Sequence, residues 1–206
     1  MSTPVCFAVI VGVDDYRAFD ASLGKPAGTS DLRGSVNDAG LYLRLARKPG
    51  VPDENTRALV APANSAARPA LFDGIDGGAP TQTNMQAAFD WLIESLKANP
   101  GTQAILTYSG HGDSDDDNLV ICPTDMTADK DGSLHNQIEL GGLGGTLNGV
   151  ASSNLITIFL DCCHARDADD GNGMRVLRPA TRTQAKNRQM VIPCSRPVAR
   201  RRCRRR

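Results

Sequence analysis

Two short segments place reactive side chains at the ends of apolar runs: "TYSGHG" (107–112) carries His111, and "LDCCHA" (160–165) carries Cys162, Cys163 and His164. A thiol and an imidazole brought together suit nucleophilic catalysis. The thiolate attacks a carbonyl, the imidazole carries protons, and backbone N–H groups hold the oxyanion. Taken singly, a buried Cys is usually a small hydrophobe and a lone His a satisfied polar residue. Two of them at two strand ends point the other way, so His111 and Cys163 form the candidate catalytic pair. Gly110 and Gly112 flank His111 and let a substrate backbone approach closely. The N–H groups of Gly112 and Cys163 are the candidate oxyanion donors.

The elements that must position these residues are legible from periodicity. "VCFAVIVGV" (5–13) is a continuous apolar, β-rich run, as a central parallel strand covered on both faces requires. "GSVNDAGLYLRLARK" (34–48) puts Val36, Ala39, Leu43 and Ala46 at helical spacing, with Leu41 and Leu45 broadening the stripe, and Pro49-Gly50 ends it. "TRALVA" (56–61) is a second strand. A Gly/Pro/Ala-rich loop leads to an amphipathic helix over 81–101 with Met85, Phe89, Leu92 and Leu96 inward. "TQAILTYSG" (102–110) is the third strand and "NLVICPTD" (118–125) one arm of a hairpin. The glycine-rich stretch 140–153 includes a helix, and "NLITIFLD" (154–161) is the fourth main strand. Alternating strands and helices predict βαβ units and an α/β sandwich. In such sheets, sites form at the carboxyl ends of strands, where His111 and Cys163 fall.

Composition bounds the remainder. At 206 residues the chain suits one domain. Residues 1–174 hold 11 Lys/Arg and all 23 Asp/Glu, whereas residues 175–206 hold 12 Lys/Arg and no acid. The zero net charge therefore joins an acidic body to a basic end, "RPVARRRCRRR". From 166 onward we expect a polar linker and a disordered basic tail without strands. The six cysteines form no even framework and no CxxC pair, so free thiols are expected rather than disulfides or zinc. The first run has no basic n-region before it and no run is long enough to cross a bilayer, so a cytoplasmic protein without membrane partners is expected.

The segments "FAVIVGVDDY" (7–16), "LRGSVNDA" (32–39), "YSGHG" and "LDCCHA" resemble, in order and spacing, the caspase-like cysteine peptidases. The resemblance is closest to the large-subunit (p20) region of metacaspases and covers residues 5–165. It implies a caspase-like three-layer α/β/α sandwich with a mostly parallel central sheet, lacking the C-terminal small-subunit part. The expected division is a catalytic domain at 1–165 and the linker and tail at 166–206. The resemblance also implies a Cys-His dyad of Cys163 and His111 working through a thioester acyl-enzyme. Cys162 is then a packing residue and His164 structural.

Caspases select Asp through an Arg two residues before the glycine of the first loop motif. That position here is Leu32, with Arg33 one residue late. The metacaspase pattern instead supplies acids, which match Asp38 and Asp161, with Ser109 as a further substrate-binding residue. Two carboxylates favour a guanidinium or ammonium group, so cleavage after Arg or Lys of protein or peptide substrates is expected. Metacaspase calcium ligands are matched only by Asp125; the later acidic pair falls near His135-Asn136. No cofactor is therefore required on this reading, no metal site is expected beyond the weak candidate Asp125, and calcium activation hangs on that residue. "TADKDGSLHNQI" (127–138) mimics an EF-hand loop but ends in Ile138 where a bidentate Glu belongs, and 113–118 reads as a solvated acidic loop. A small-subunit chain or a second copy would complete the fold. The Arg-rich end could serve as a cleavage site or pseudosubstrate. Nucleic acid is expected only through that end, since the acidic body repels phosphates. The rival reading is a catalytically silent caspase-like scaffold.

Overall fold

The computed structural model describes residues 6–115, 118–147, 149–150, 152–162 and 189–193. In chain order the elements are β1 (Cys6–Val13), α1 (Arg17–Ser22), α2 (Ser35–Arg47), β2 (Thr56–Ala61), α3 (Gln82–Ala98) and β3 (Gln103–Ser109). A hairpin of β4 (Gly112–Asp115) and β5 (Asn118–Ile121) follows. Next come the short strands β6 (Thr127–Ala128), β7 (Leu134–His135) and β8 (Ile138–Glu139), then α4 (Leu140–Leu147), β9 (Leu155–Asp161) and β10 (Gln189–Pro193).

The main sheet runs β10-β9-β3-β1-β2 and every pairing in it is parallel. Because β1 sits between β2 and β3, the crossovers through α2 and α3 run in opposite directions. Crossovers of one hand then put the two helices on opposite faces. One face packs Ala8 and Ile10 against Val36, Ala39, Leu43 and Ala46 of α2. The other packs Val9, Val11, Leu106 and Ile158 against Met85, Phe89, Leu92 and Leu96 of α3 and Leu140, Leu143 and Leu147 of α4. This is the three-layer α/β/α sandwich with a mostly parallel sheet. All eight residues of β1 are buried, which is why its sequence is an unbroken apolar run. Among the described residues no helix is long and apolar enough to cross a membrane.

Besides α1, which falls in the Gly-, Ser- and Asp-rich stretch 14–31 that reads as a loop, three details differ from the sequence expectation. Leu41 and Leu45 do not extend the buried stripe of α2 but are exposed, at 55% and 38%. The four inward positions already fill the contact with the sheet. The acidic stretch from 113 is not simply a loop: Asp113, Ser114 and Asp115 belong to β4 and pair with β5. The third difference is β10. No strand was expected after Cys163, yet Gln189–Pro193 pairs with β9. "QMVIP" is too short to show a period and lies among basic residues. The open edge of β9, with its row of unpaired backbone groups, supplies what the local pattern does not. Pro193 is tolerated because it ends an edge strand. The expectations for Cys163, His164 and the rest of 163–188 and 194–206 lie outside the described residues.

Gly12 sets how closely α2 approaches the sheet. A Cβ there would stand 2.6 Å from the Ser35 carbonyl oxygen and 2.8 Å from Ala39 Cβ. Overpacking of this kind typically costs about 1–3 kcal/mol. Gly12→Ala is expected to lose stability of that order in a urea melt, and a melt superimposable on that of the unaltered chain would contradict the packing described.

Candidate active site

The site is assembled from the carboxyl ends of β1, β3 and β9. β3 and β9 are adjacent, with Ser109 beside Asp161. In the pleat, Ser109 and Asp161 fall on the α2 face, because Tyr108 and Leu160 belong to the opposite core. Asp38, in the first turn of α2, meets them there: Ser109 Oγ donates a long hydrogen bond, 3.5 Å, to Asp38 Oδ2. Ser109 thus touches Asp38 and is the strand neighbour of Asp161, and Arg33 is exposed.

Asp14 explains why α2 starts where it does. Its N-cap residue is Gly34, which has no side chain to satisfy the orphan N–H groups. The carboxylate of Asp14, at the end of β1, accepts instead from the N–H groups of Gly34 (3.1 Å), Ser35 (2.8 Å) and Val36 (3.3 Å). An anion at this end of the helix is favoured by the macrodipole as well. The sheet terminus and Asp38 are thereby tied through one buried side chain.

His111 is held from three sides. Its N–H donates to Tyr16 Oη at 2.7 Å. Its carbonyl accepts from Tyr108 Oη at 2.6 Å and from the Cys122 N–H at 3.2 Å. Its ring lies against the Tyr16 ring, with centroids 4.5 Å apart. On the outer side, Nε2 lies 2.9 Å from the Ser30 carbonyl oxygen. A carbonyl can only accept, so Nε2 is the nitrogen that donates there, and in the neutral ring Nδ1 is the one left as acceptor. The Cys122 N–H bond to His111 makes 111/122 the bonding-type position of the β4–β5 ladder. Gly112 and Ile121 are then the non-bonded pair, and the Gly112 N–H points away from β5.

The phenols beneath His111 were not singled out from the sequence, although "DDY" and "TYS" both flank the motifs. Tyr16 and Tyr108 are buried, with their oxygens 3.4 Å apart. Both oxygens lie near the Cys122 carbonyl, Tyr16 at 3.3 Å and Tyr108 at 3.0 Å, and Tyr108 Oη also accepts the Cys122 N–H. Gly110 is required here: a Cβ would come within 2.5 Å of Tyr108 Oη and 2.7 Å of Tyr16 Oη. Burial pushes both phenols well above the ordinary tyrosine range; for Tyr16, hydrogen bonds with Tyr108 and His111 offset part of the rise.

Cys162 is partly buried and packs against the main core, as a packing residue does. Cys6, Cys122 and Cys162 are not in disulfides, and burial raises the Cys6 thiol. Asp125 has a structural engagement: its Oδ1 accepts from the Gln82 N–H at 2.8 Å, at the start of α3. The EF-hand-like stretch forms the turn between β6 and β7, where Asp129 pairs with His135 at 2.9 Å and Asp131 accepts from the Ser133 N–H. Among the described residues no group of three His, Cys, Asp or Glu side chains could hold a metal ion. A cavity of about 380 Å³ lies elsewhere, between α3, β8 and α4, and is lined by Gln82, Phe89, Gln137 and Leu143 but by none of the candidate residues.

A parallel sheet between helices, with a His-bearing strand beside the strand that leads to a Cys, defines an α/β protein of caspase-like architecture. The family model described as "Caspase domain" matches residues 5–198. The chain belongs to that family, which is one of cysteine peptidases. The match runs beyond residue 165 and takes in β10. Among solved structures, that of protein GSU0716 from Geobacter sulfurreducens is similar in fold. The TM-score is 0.50 at 20% identity, over 79% of this chain and 52% of that one. The chain thus spans about half the length of that protein. A search of curated proteins gives no significant match.

Two outcomes follow from the phenol pair. Tyr16→Phe leaves the His111 N–H without its acceptor, a loss worth about 1–3 kcal/mol, to be read in a urea melt; an unchanged midpoint would contradict the bond. Both phenols are raised in the fold, so the unfolded chain releases their protons first. Their contribution is fully present below the unfolded value of about 10 and is lost as pH rises toward the folded values. In an alkaline titration, phenolate absorbance from these two is expected to appear together with loss of near-UV circular dichroism, not before it.

Proposed function

We propose that this chain is a cysteine endopeptidase that cleaves after Arg or Lys with a Cys163–His111 dyad. One observation carries the proposal: β3 and β9 are parallel neighbours with Ser109 beside Asp161. His111 and Cys163 each follow a member of that pair by two residues, and the pair itself borders Asp38.

Nδ1 of His111 takes the Cys163 thiol proton, and the thiolate attacks the scissile carbonyl. Electrons move onto the carbonyl oxygen, which the N–H groups of Gly112 and Cys163 stabilise. Collapse expels the amine, which receives the proton from the imidazolium, and leaves a thioester on Cys163. Water, deprotonated by Nδ1, attacks the thioester; the acid product leaves and the thiol is restored. The carboxylates of Asp38 and Asp161, with Ser109 Oγ, hold the basic side chain of the residue before the cleaved bond. The function requires no cofactor, its partners are protein or peptide substrates with a basic residue before the cleaved bond, and its site of action is the cytoplasm.

Fluorogenic peptides ending in Arg, Lys or Asp test the assignment. Turnover is expected with Arg and Lys and absent in Cys163→Ala. Asp161→Asn is expected to lower kcat/KM for Arg peptides about 10–100-fold, the worth of one charge-assisted hydrogen bond. Preference for Asp peptides would overturn the specificity. A folded chain with no turnover of any peptide would leave the silent-scaffold reading.

A further inference from the structure

The Ser30 carbonyl that meets His111 Nε2 sits in a loop that needs a reason to point there. Residues 23–34 contain no regular element, and loop carbonyls ordinarily turn to water. The reason is a carboxylate. Asp20, in α1, has no exposed surface. Among the described residues no ion pair within 4.0 Å is recorded for it. Its Oδ1 accepts from Ser30 Oγ at 2.6 Å and its Oδ2 from the Ser30 N–H at 3.1 Å. The N–H groups of Thr29 and Gly28 face the same carboxylate. Burial pushes this carboxyl up, but the hydrogen bonds from Ser30, Thr29 and Gly28 outweigh burial and hold it below the usual range.

We infer that Asp20 is a positioning residue for His111, acting through Ser30. The carboxylate fixes the Ser30 N–H and hydroxyl on one side of the 28–30 loop. The next peptide donates its Asp31 N–H to the Gly28 carbonyl at 3.4 Å, so its other side, the Ser30 carbonyl, faces the imidazole, 2.9 Å from Nε2. The proton is thereby kept on Nε2 and the lone pair on Nδ1, the nitrogen that the proposed dyad uses. The path from Asp20 to the imidazole passes through a single residue. The inference rests on the peptidase reading for its purpose, but not for its measurement.

The measurement is the tautomer of His111 in the full chain, read from imidazole ¹⁵N chemical shifts near neutral pH. The chain has three histidines, and a His111→Gln variant assigns the signals. In the unaltered chain the Nε2–H form is expected to dominate. Asp20→Ala is expected to raise the Nδ1–H share at least about threefold, because a loosened Ser30 carbonyl leaves mainly the weaker intrinsic preference of the imidazole for the Nε2–H form. Asp20→Asn is expected to restore the dominant form. Its amide oxygen can accept the Ser30 N–H, and its NH₂ can donate to the Ser30 hydroxyl, which serves equally as acceptor. If Asp20→Ala fails to fold, Ser30→Ala breaks the 2.6 Å bond alone and is expected to shift the tautomer in the same direction by less. Where peptide turnover is measured, kcat is expected to fall about tenfold with KM within about twofold. A folded Asp20→Ala or Ser30→Ala chain with the unaltered tautomer ratio overturns the inference. The expected tautomer shifts without turnover of any peptide would overturn only the peptidase reading.

Discussion

The parallel pairing of β3 with β9 is the constraint on which the rest of the site depends. It sets Ser109 beside Asp161, although more than fifty residues separate them in the chain. A slip of one residue would send Ser109 or Asp161 to the opposite face, away from Asp38. Such a slip is disfavoured because β3 and β9 are buried on their α3/α4 face, where Leu106, Tyr108, Ile158 and Leu160 are each nearly inaccessible. Register is thus held by core packing, and the site inherits the rigidity of the core.

Around that constraint lie side chains that serve the backbone. Asp14 caps α2, the phenols of Tyr16 and Tyr108 hold the peptide at His111, and Asp125 reaches the start of α3. Each satisfies buried or partly buried groups where a strand or helix ends, the places at which regular structure leaves donors and acceptors unpaired. Polar contacts of this kind are worth little when exposed but are costly to break when buried. The neighbourhood of His111 is accordingly stiff, as a group that must meet its partner within hydrogen-bond reach requires.

The sheet, its covering helices and the placement of His111 at a strand end were legible in the residues. Long apolar runs such as 5–13 and the 3.6-residue spacing of Met85, Phe89, Leu92 and Leu96 state their own structure. β10 was not legible, because five residues carry too little pattern and the edge of β9 decides their conformation. Leu41 and Leu45 were misplaced because periodicity tells which residues could face inward but not how wide the contact is. Nothing in the local spacing of Tyr16 and Tyr108 marks them out, and only their shared approach to Cys122 shows the network.

By itself, the sequence determined the main strands and their covering helices, the α/β class and the residue types at two strand ends, since these follow from local spacing and side-chain chemistry. Tertiary structure decided which strand ends are neighbours, that Asp38 comes to Ser109, and which nitrogen of His111 carries the proton. Those outcomes depend on contacts between segments far apart in the chain, such as Ser30 with His111. Their partners are chosen by how helices and sheet pack, a choice that no local pattern encodes.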